Sequence, residues 1–295
     1  MTETYVNERD VAELRSRPGF REACEDAAAR SIDYFCALPA PYQWLTKDLG
    51  RTAICLTAGV LQSIGALTVQ SLVATCQAGR IASTGRVTQI VRRCEALGEL
   101  TISPGATFWT RRPMRVSDAF VARLLDRARV ELTALQALEP EATRILARLD
   151  ATSFSAFIHR LALVLAEHRD RSRSAPIPMR IFLEREAGML ILYDLFCAQA
   201  PDRTRLLETA PLNRNALARR YGVSRVHINK LFDDAADQGL VAYDGPGDLA
   251  FSAELSEALE GQFAHAFLFG LLAGRAMLEQ LDGRAPPADA NVAPT

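Results

Sequence analysis

The chain has 295 residues, 49% of them hydrophobic and 23% charged, with 34 Lys and Arg against 35 Asp and Glu. That composition is that of a soluble globular protein, and the length allows one large domain or two ordinary ones with full cores. A formal net charge of −1 excludes a broadly basic surface, so any nucleic-acid contact must come from a local patch balanced by acid elsewhere.

The first residues are polar and acidic before any apolar run, which is not the pattern of a secretory signal, and a cytoplasmic location is expected. Residues 52–79 carry no charge and are long enough to span a bilayer at ~20 residues. Gln62, Gln70 and Gln77 and a break at Ser63-Ile64-Gly65 read better as two buried helices joined by a turn. No membrane span is expected. The six cysteines (Cys24, Cys36, Cys55, Cys76, Cys94, Cys197) form no Cys-x-x-Cys pair and lie in apolar, helix-like stretches, as reduced buried thiols do. Cys94, just beyond Arg92 and Arg93, is the one candidate for an exposed, low-pKa sensor thiol.

Helical periodicity dominates. Apolar residues recur at three and four spacings in Val121, Leu124, Ala128, Leu132, Leu135, and again in Leu255, Leu259, Phe263, Phe267, Leu271. Strand-like runs are short and follow Gly98 and Gly239. The chain also repeats itself. Helices starting near Leu49 and near Gly188 are each followed by a helix, a turn and a second helix. The second helices close on Leu97-Gly98-Glu99-Leu100 and Gln238-Gly239-Leu240-Val241. A strand, a Gly/Pro turn, another strand and a long helix follow in each half. The offset of about 140 residues marks two diverged domains and no solenoid. The boundaries read as 1–148 and 149–283, with a Pro- and Ala-rich tail, 284–295, expected to be disordered.

The strongest local pattern is Leu217 to Leu231. A helix-turn-helix needs a small residue where its helices touch (Ala218) and, four positions on, a turn residue tolerant of positive φ (Gly222). It also needs buried aliphatic residues further on (Ile228, Leu231) and gains from an N-cap (Ser224). Every slot is filled. The second helix then offers Ser224, Arg225, Val226, His227, Asn229 and Lys230 outward, a set suited to bases and phosphates. From Arg214 to Lys230 there are five Lys or Arg and no acid, and acids return at Asp233, Asp234 and Asp237. The bland alternative is a basic helix face that solvent covers.

The first half carries a looser version, with an N-cap at Ser83, buried slots at Val87 and Ile90, and a turn about two residues longer. Thr75 stands where the small residue belongs. Thr84, Arg86, Gln89, Arg92 and Arg93 are expected outward, and Gly85 would permit close backbone approach. The hairpin after it holds Arg111 and Arg112, suited to the minor groove or to phosphate, whereas the hairpin from Val241 to Phe251 is acidic.

Over roughly 46–136 and 179–281 this order of elements resembles winged-helix regulators of the MarR type, fused in tandem. The resemblance implies a mainly α fold of two winged helix-turn-helix domains with short β-hairpin wings, related by duplication and a pseudo-two-fold. It also implies sequence-specific binding to double-stranded DNA in transcriptional regulation. Such regulators bind pseudo-palindromic DNA as dimers and often respond to small ligands. A monomer acting as a pseudo-dimer, or a homodimer, and a small-molecule effector are therefore expected.

Two other readings stand beside this one: a tandem winged-helix replication initiator, and a winged-helix adaptor that binds protein and no DNA. No enzyme motif, cofactor motif or His/Cys spacing for zinc occurs; His159, His168, His227 and His265 are scattered. No catalytic residue, cofactor or metal is expected.

Overall fold

The computed structural model describes residues 6–105, 108–171, 178–245 and 247–283. It is mainly helical, as expected. The described residues divide into two compact units built from non-contiguous stretches. Val6, 50–171 and 267–283 form the first, and 7–49 with 178–266 form the second. This differs from the contiguous division at 148 and 149. The N-terminal helices group with the later half, and the end of the last helix groups with the earlier half. Neither exchange carries a local sequence signal. The expected disordered tail, 284–295, lies outside the described residues.

The first unit contains α4 (Leu49–Ser63), α5 (Val69–Ala78), α6 (Thr84–Ala96), β1 (Leu100–Ile102), a 3-10 turn (Trp109–Arg111) and β2 (Met114–Val116). It continues with α7 (Asp118–Leu135), α8 (Pro140–Arg148) and α9 (Phe154–Arg171). The uncharged stretch is thus two helices, broken where Gly65 takes φ +68°. Thr68 starts α5 by accepting from Ser71 N at 3.0 Å, and the Ser71 hydroxyl answers back to Thr68 N at 2.9 Å. β1 and β2 pair antiparallel, Leu100 opposite Val116, and Met114 N donates to Leu67 O at 2.8 Å, so the residues before α5 edge the hairpin. The core gathers Ile54, Leu72, Val87, Ile90, Leu125, Leu132 and Ile145. Close approach is built in at Gly274, where an added Cβ would lie 2.5 Å from Ile145.

The second unit contains α1 (Glu8–Arg15), α2 (Phe20–Ala37), α3 (Ala40–Thr46), α10 (Arg180–Glu184), α11 (Gly188–Cys197) and β3 (Thr209–Pro211). Then follow α12 (Arg214–Tyr221), α13 (Arg225–Asp237), β4 (Val241–Asp244) and β5 (Asp248–Phe251). The last helix, α14 (Ala253–Leu281), gives its residues to Ala266 to this unit and the rest to the first. The three strands form one antiparallel sheet in the order β3-β5-β4. Strand β3 carried no sequence signal, being three residues long and ending in Pro211. Aromatic contacts fill the core: Phe35 with Tyr221 at 5.8 Å, Phe182 with Phe232 at 6.5 Å, and Tyr193 stacked on Phe263 at 5.2 Å.

Helices α6 and α13 share their length, caps and stops. Helices α6 and α13 are both 13 residues long and run in register at an offset of 141 (84 to 225, 96 to 237). Ser83 and Ser224 cap their starts, accepting from Arg86 N at 3.4 Å and His227 N at 3.0 Å. Both end on a left-handed glycine, Gly98 at φ +71° and Gly239 at +70°. The next amide bonds back to the third-last helical carbonyl, Glu99 N to Cys94 O at 2.8 Å and Leu240 N to Ala235 O at 3.0 Å. Both hairpins return to a serine that caps the next helix, Ser117 for α7 and Ser252 at the head of α14.

Candidate nucleic-acid interface

In the second unit the turn between α12 and α13 is three residues, 222–224. Asn213 caps α12 by accepting from Ala216 N at 3.0 Å. Gly222 stops it at φ +57°, a conformation in which a side chain would be strained. Val223 N then donates to Ala218 O at 3.1 Å, closing the helices on the small residue. Tyr221, Ile228 and Leu231 are buried outright, and Leu217 nearly so. A support that the sequence pattern missed comes from the N-terminal segment: Lys47 Nζ donates to Gly222 O at 3.0 Å. Tyr221 donates its hydroxyl to Asp194 at 3.0 Å, and burial, with that carboxylate adding to it, pushes the phenol far above its usual range.

Of the outward set, Ser224, Arg225 and Lys230 are exposed, with Lys230 Nζ 3.8 Å from Asp234. His227 is not free for bases as expected: it is half-buried and its Nε2 lies 2.9 Å from Glu186 O. Asn229 is also half-buried, with its Oδ1 shielded from solvent. On a helix of 3.6 residues per turn, position 227 turns toward the α10 side, where Arg185 holds Asp234, one helical repeat further on. Val226 faces outward as expected and is 74% exposed. Arg214 stacks on the Tyr243 ring at 5.1 Å, and Tyr243 donates to Asp233 at 2.9 Å. Arg220 pairs with Asp194 at 2.9 Å.

In the first unit the turn spans 79–83, two residues longer than 222–224, with Arg80 at φ +50° where the second unit has Gly222. Thr75 is exposed and is not the small contact residue. Fully buried Cys76 is: Ile81 N donates to Cys76 O at 2.8 Å, as Val223 N does to Ala218 O. The longer turn displaced the slot by one position. Ser83, Thr84, Arg86, Gln89, Arg92 and Arg93 are all exposed, and Gln77 donates to Thr84 Oγ1 at 3.1 Å. Gly85 has nothing within 4 Å of an added Cβ.

The hairpin extends this face. Arg92 lies over the Trp109 ring at 4.2 Å and pairs with Glu95 at 3.1 Å. Arg111 donates to Gln70 at 3.2 Å, Arg112 is half-buried, and Arg115 and Phe108 are exposed. Seven arginines from Arg80 to Arg115 face only Glu95 and Glu99, 7 − 2 = +5. Glu99 is 3% exposed and is held by Arg123 and by Ser117 Oγ at 3.2 Å, so its charge is spent inside the unit. The solvent-facing balance is therefore more basic than composition suggests.

Cys94 is buried, which removes the exposed sensor thiol. Its neighbour Cys55 donates to it, and that hydrogen bond, with Arg123, holds its pKa below the usual thiol value against the effect of burial. Cys24, Cys55 and Cys76 are buried too, whereas Cys36 and Cys197 are exposed against expectation. Among the described residues no three metal-ligating side chains cluster, and no helix is long and apolar enough to cross a membrane. No family model, curated protein or solved structure matches the chain.

Proposed function

We propose that the chain is a sequence-specific double-stranded DNA-binding protein of the tandem winged helix-turn-helix kind, acting as a cytoplasmic transcriptional regulator. The observation that carries this reading is the repeated pair of N-capped, glycine-stopped helices α6 and α13, each followed by a hairpin. In the first unit that helix and hairpin present one arginine-rich face. Helix α11, strand β3, helices α12 and α13 and the β3-β5-β4 sheet follow the order of a winged helix, and α4 to β2 repeat it with β3 reduced to the Thr68–Pro113 bridge. Capped helix N-termini favour phosphate, and the arginines add the charge that makes duplex affinity salt-dependent.

The test is anisotropy of the full chain on duplex DNA across a salt series. Affinity that falls linearly in log–log form supports the reading, and salt-insensitive or absent binding overturns it. Arg225→Ala and Lys230→Ala should each weaken a specific site by about 1–3 kcal/mol and relax specificity there, with thermal stability unchanged. Loss of folding, or unchanged affinity, would tell against that placement.

A second reading has its own support. Asp233, Asp237, Asp244 and Asp248 are exposed on α13 and its hairpin, an acidic set that repels phosphate and suits a protein partner. A chain that binds no duplex at low salt but is captured by a basic protein would favour it.

A further inference from the structure

We propose that the target of this chain is a non-palindromic duplex carrying two unlike recognition elements, one for each unit; this rests on the DNA-binding reading above. The 141-residue register lets the two helices be compared slot by slot. Their buried slots match in kind: Val87 with Ile228, Ile90 with Leu231, Val91 with Phe232, Cys94 with Ala235. A shared packing of the two helices requires those positions to be apolar. Their outward slots do not match.

Thr84, Gly85 and Gln89 stand where α13 has Arg225, Val226 and Lys230. A turn later Arg92 and Arg93 stand where α13 has Asp233 and Asp234. These differences change what can be read. Gln89 offers an amide that pairs with adenine in a bidentate fashion, whereas Arg225 and Lys230 donate to guanine. Val226, 74% exposed between two cations, fits a thymine methyl in the major groove, and Gly85 offers no side chain at all. The arginines extend the basic face of α6 past its middle, while the aspartates end that of α13 after Lys230. The element read by the second unit is therefore the shorter one. Two helices that share the capping serine but differ at these outward slots do not read the same bases.

The experiment is selection of bound duplexes by the full chain from a randomised pool. It is repeated with Thr84→Arg, Gly85→Val and Gln89→Lys together, and with the reciprocal set Arg225→Thr, Val226→Gly and Lys230→Gln. The expected consensus holds two dissimilar elements. Each set of changes alters one element and leaves the other, and the reciprocal set keeps the test alive if the first protein misfolds. Replacing thymine by uracil in the second element should weaken the native chain about fourfold, the worth of one buried methyl, and leave the Val226→Gly chain unaffected. A consensus built only of copies of one element, a single element alone, or variants that leave it unchanged would overturn the proposal. No enrichment by a folded native chain would overturn the DNA-binding reading itself.

Discussion

Ile228→Asp is expected to unfold the second unit. Ile228 is completely buried on the inner face of α13, beside Leu231 and Phe232, which are equally buried. Among the described residues no Lys or Arg is buried in the core to pair with a carboxylate there, and an uncompensated buried charge costs about 3–5 kcal/mol. The lost packing of the isoleucine adds roughly 2–5 kcal/mol. Together these rival the whole stability of an ordinary domain, about 5–15 kcal/mol. Circular dichroism and thermal melts check it: cooperative unfolding of the second unit should be lost at room temperature. A folded protein with a native melt would mean that α13 is docked by some other face. Val226→Asp, two positions earlier and exposed, is the control and should leave the melt in place.

The contrast between those two positions marks what was legible in the sequence. Caps and stops are local, so Ser83 and Ser224, with Gly98 and Gly239, gave the bounds of α6 and α13 directly. The hairpins after them followed from the same glycines. Burial along a helix is periodic, so Ile228, Leu231, Val87 and Ile90 could be placed inward. Contacts between distant segments could not be placed. His227 sits on a flank of α13 that looks outward on a helical wheel, and only the backbone of Glu186 takes it inward.

Lys47 under the turn glycine and Glu99 against Arg123 likewise depend on elements far apart in sequence. The exchange of terminal helices between the two units is a matter of chain topology, which composition and periodicity do not encode. Thr75 was misplaced for a smaller reason. Counting both extra turn residues between slot and second helix gives Thr75. Helix α5, however, ends two residues after its contact slot where α12 ends three after its own, so the spacing grows only by one and the slot falls at Cys76.

Arg111→Ala with Arg112→Ala is expected to flatten the salt dependence of duplex binding by up to about two units of log–log slope, since each neutralised phosphate contributes close to one. The loss should fall on all sequences alike, because phosphate contacts hold a protein in place without reading bases. The hairpin that carries this pair leans on the same face as Arg92, whose guanidinium lies over Trp109, and Arg111 itself is braced by Gln70. Held this way, the side chains lose less entropy on meeting phosphate than free surface arginines would. The second hairpin should act in the opposite sense. Asp244 and Asp248 face each other across β4 and β5, both exposed, so replacing them with Asn should strengthen binding modestly by removing like charge near phosphate. On this placement the first unit should supply more of the salt-dependent affinity than the second. Salt titrations of both double variants on one duplex decide it. If the second-hairpin change weakens binding while the first-hairpin change does nothing, the acidic hairpin is the one at the DNA and this placement is reversed.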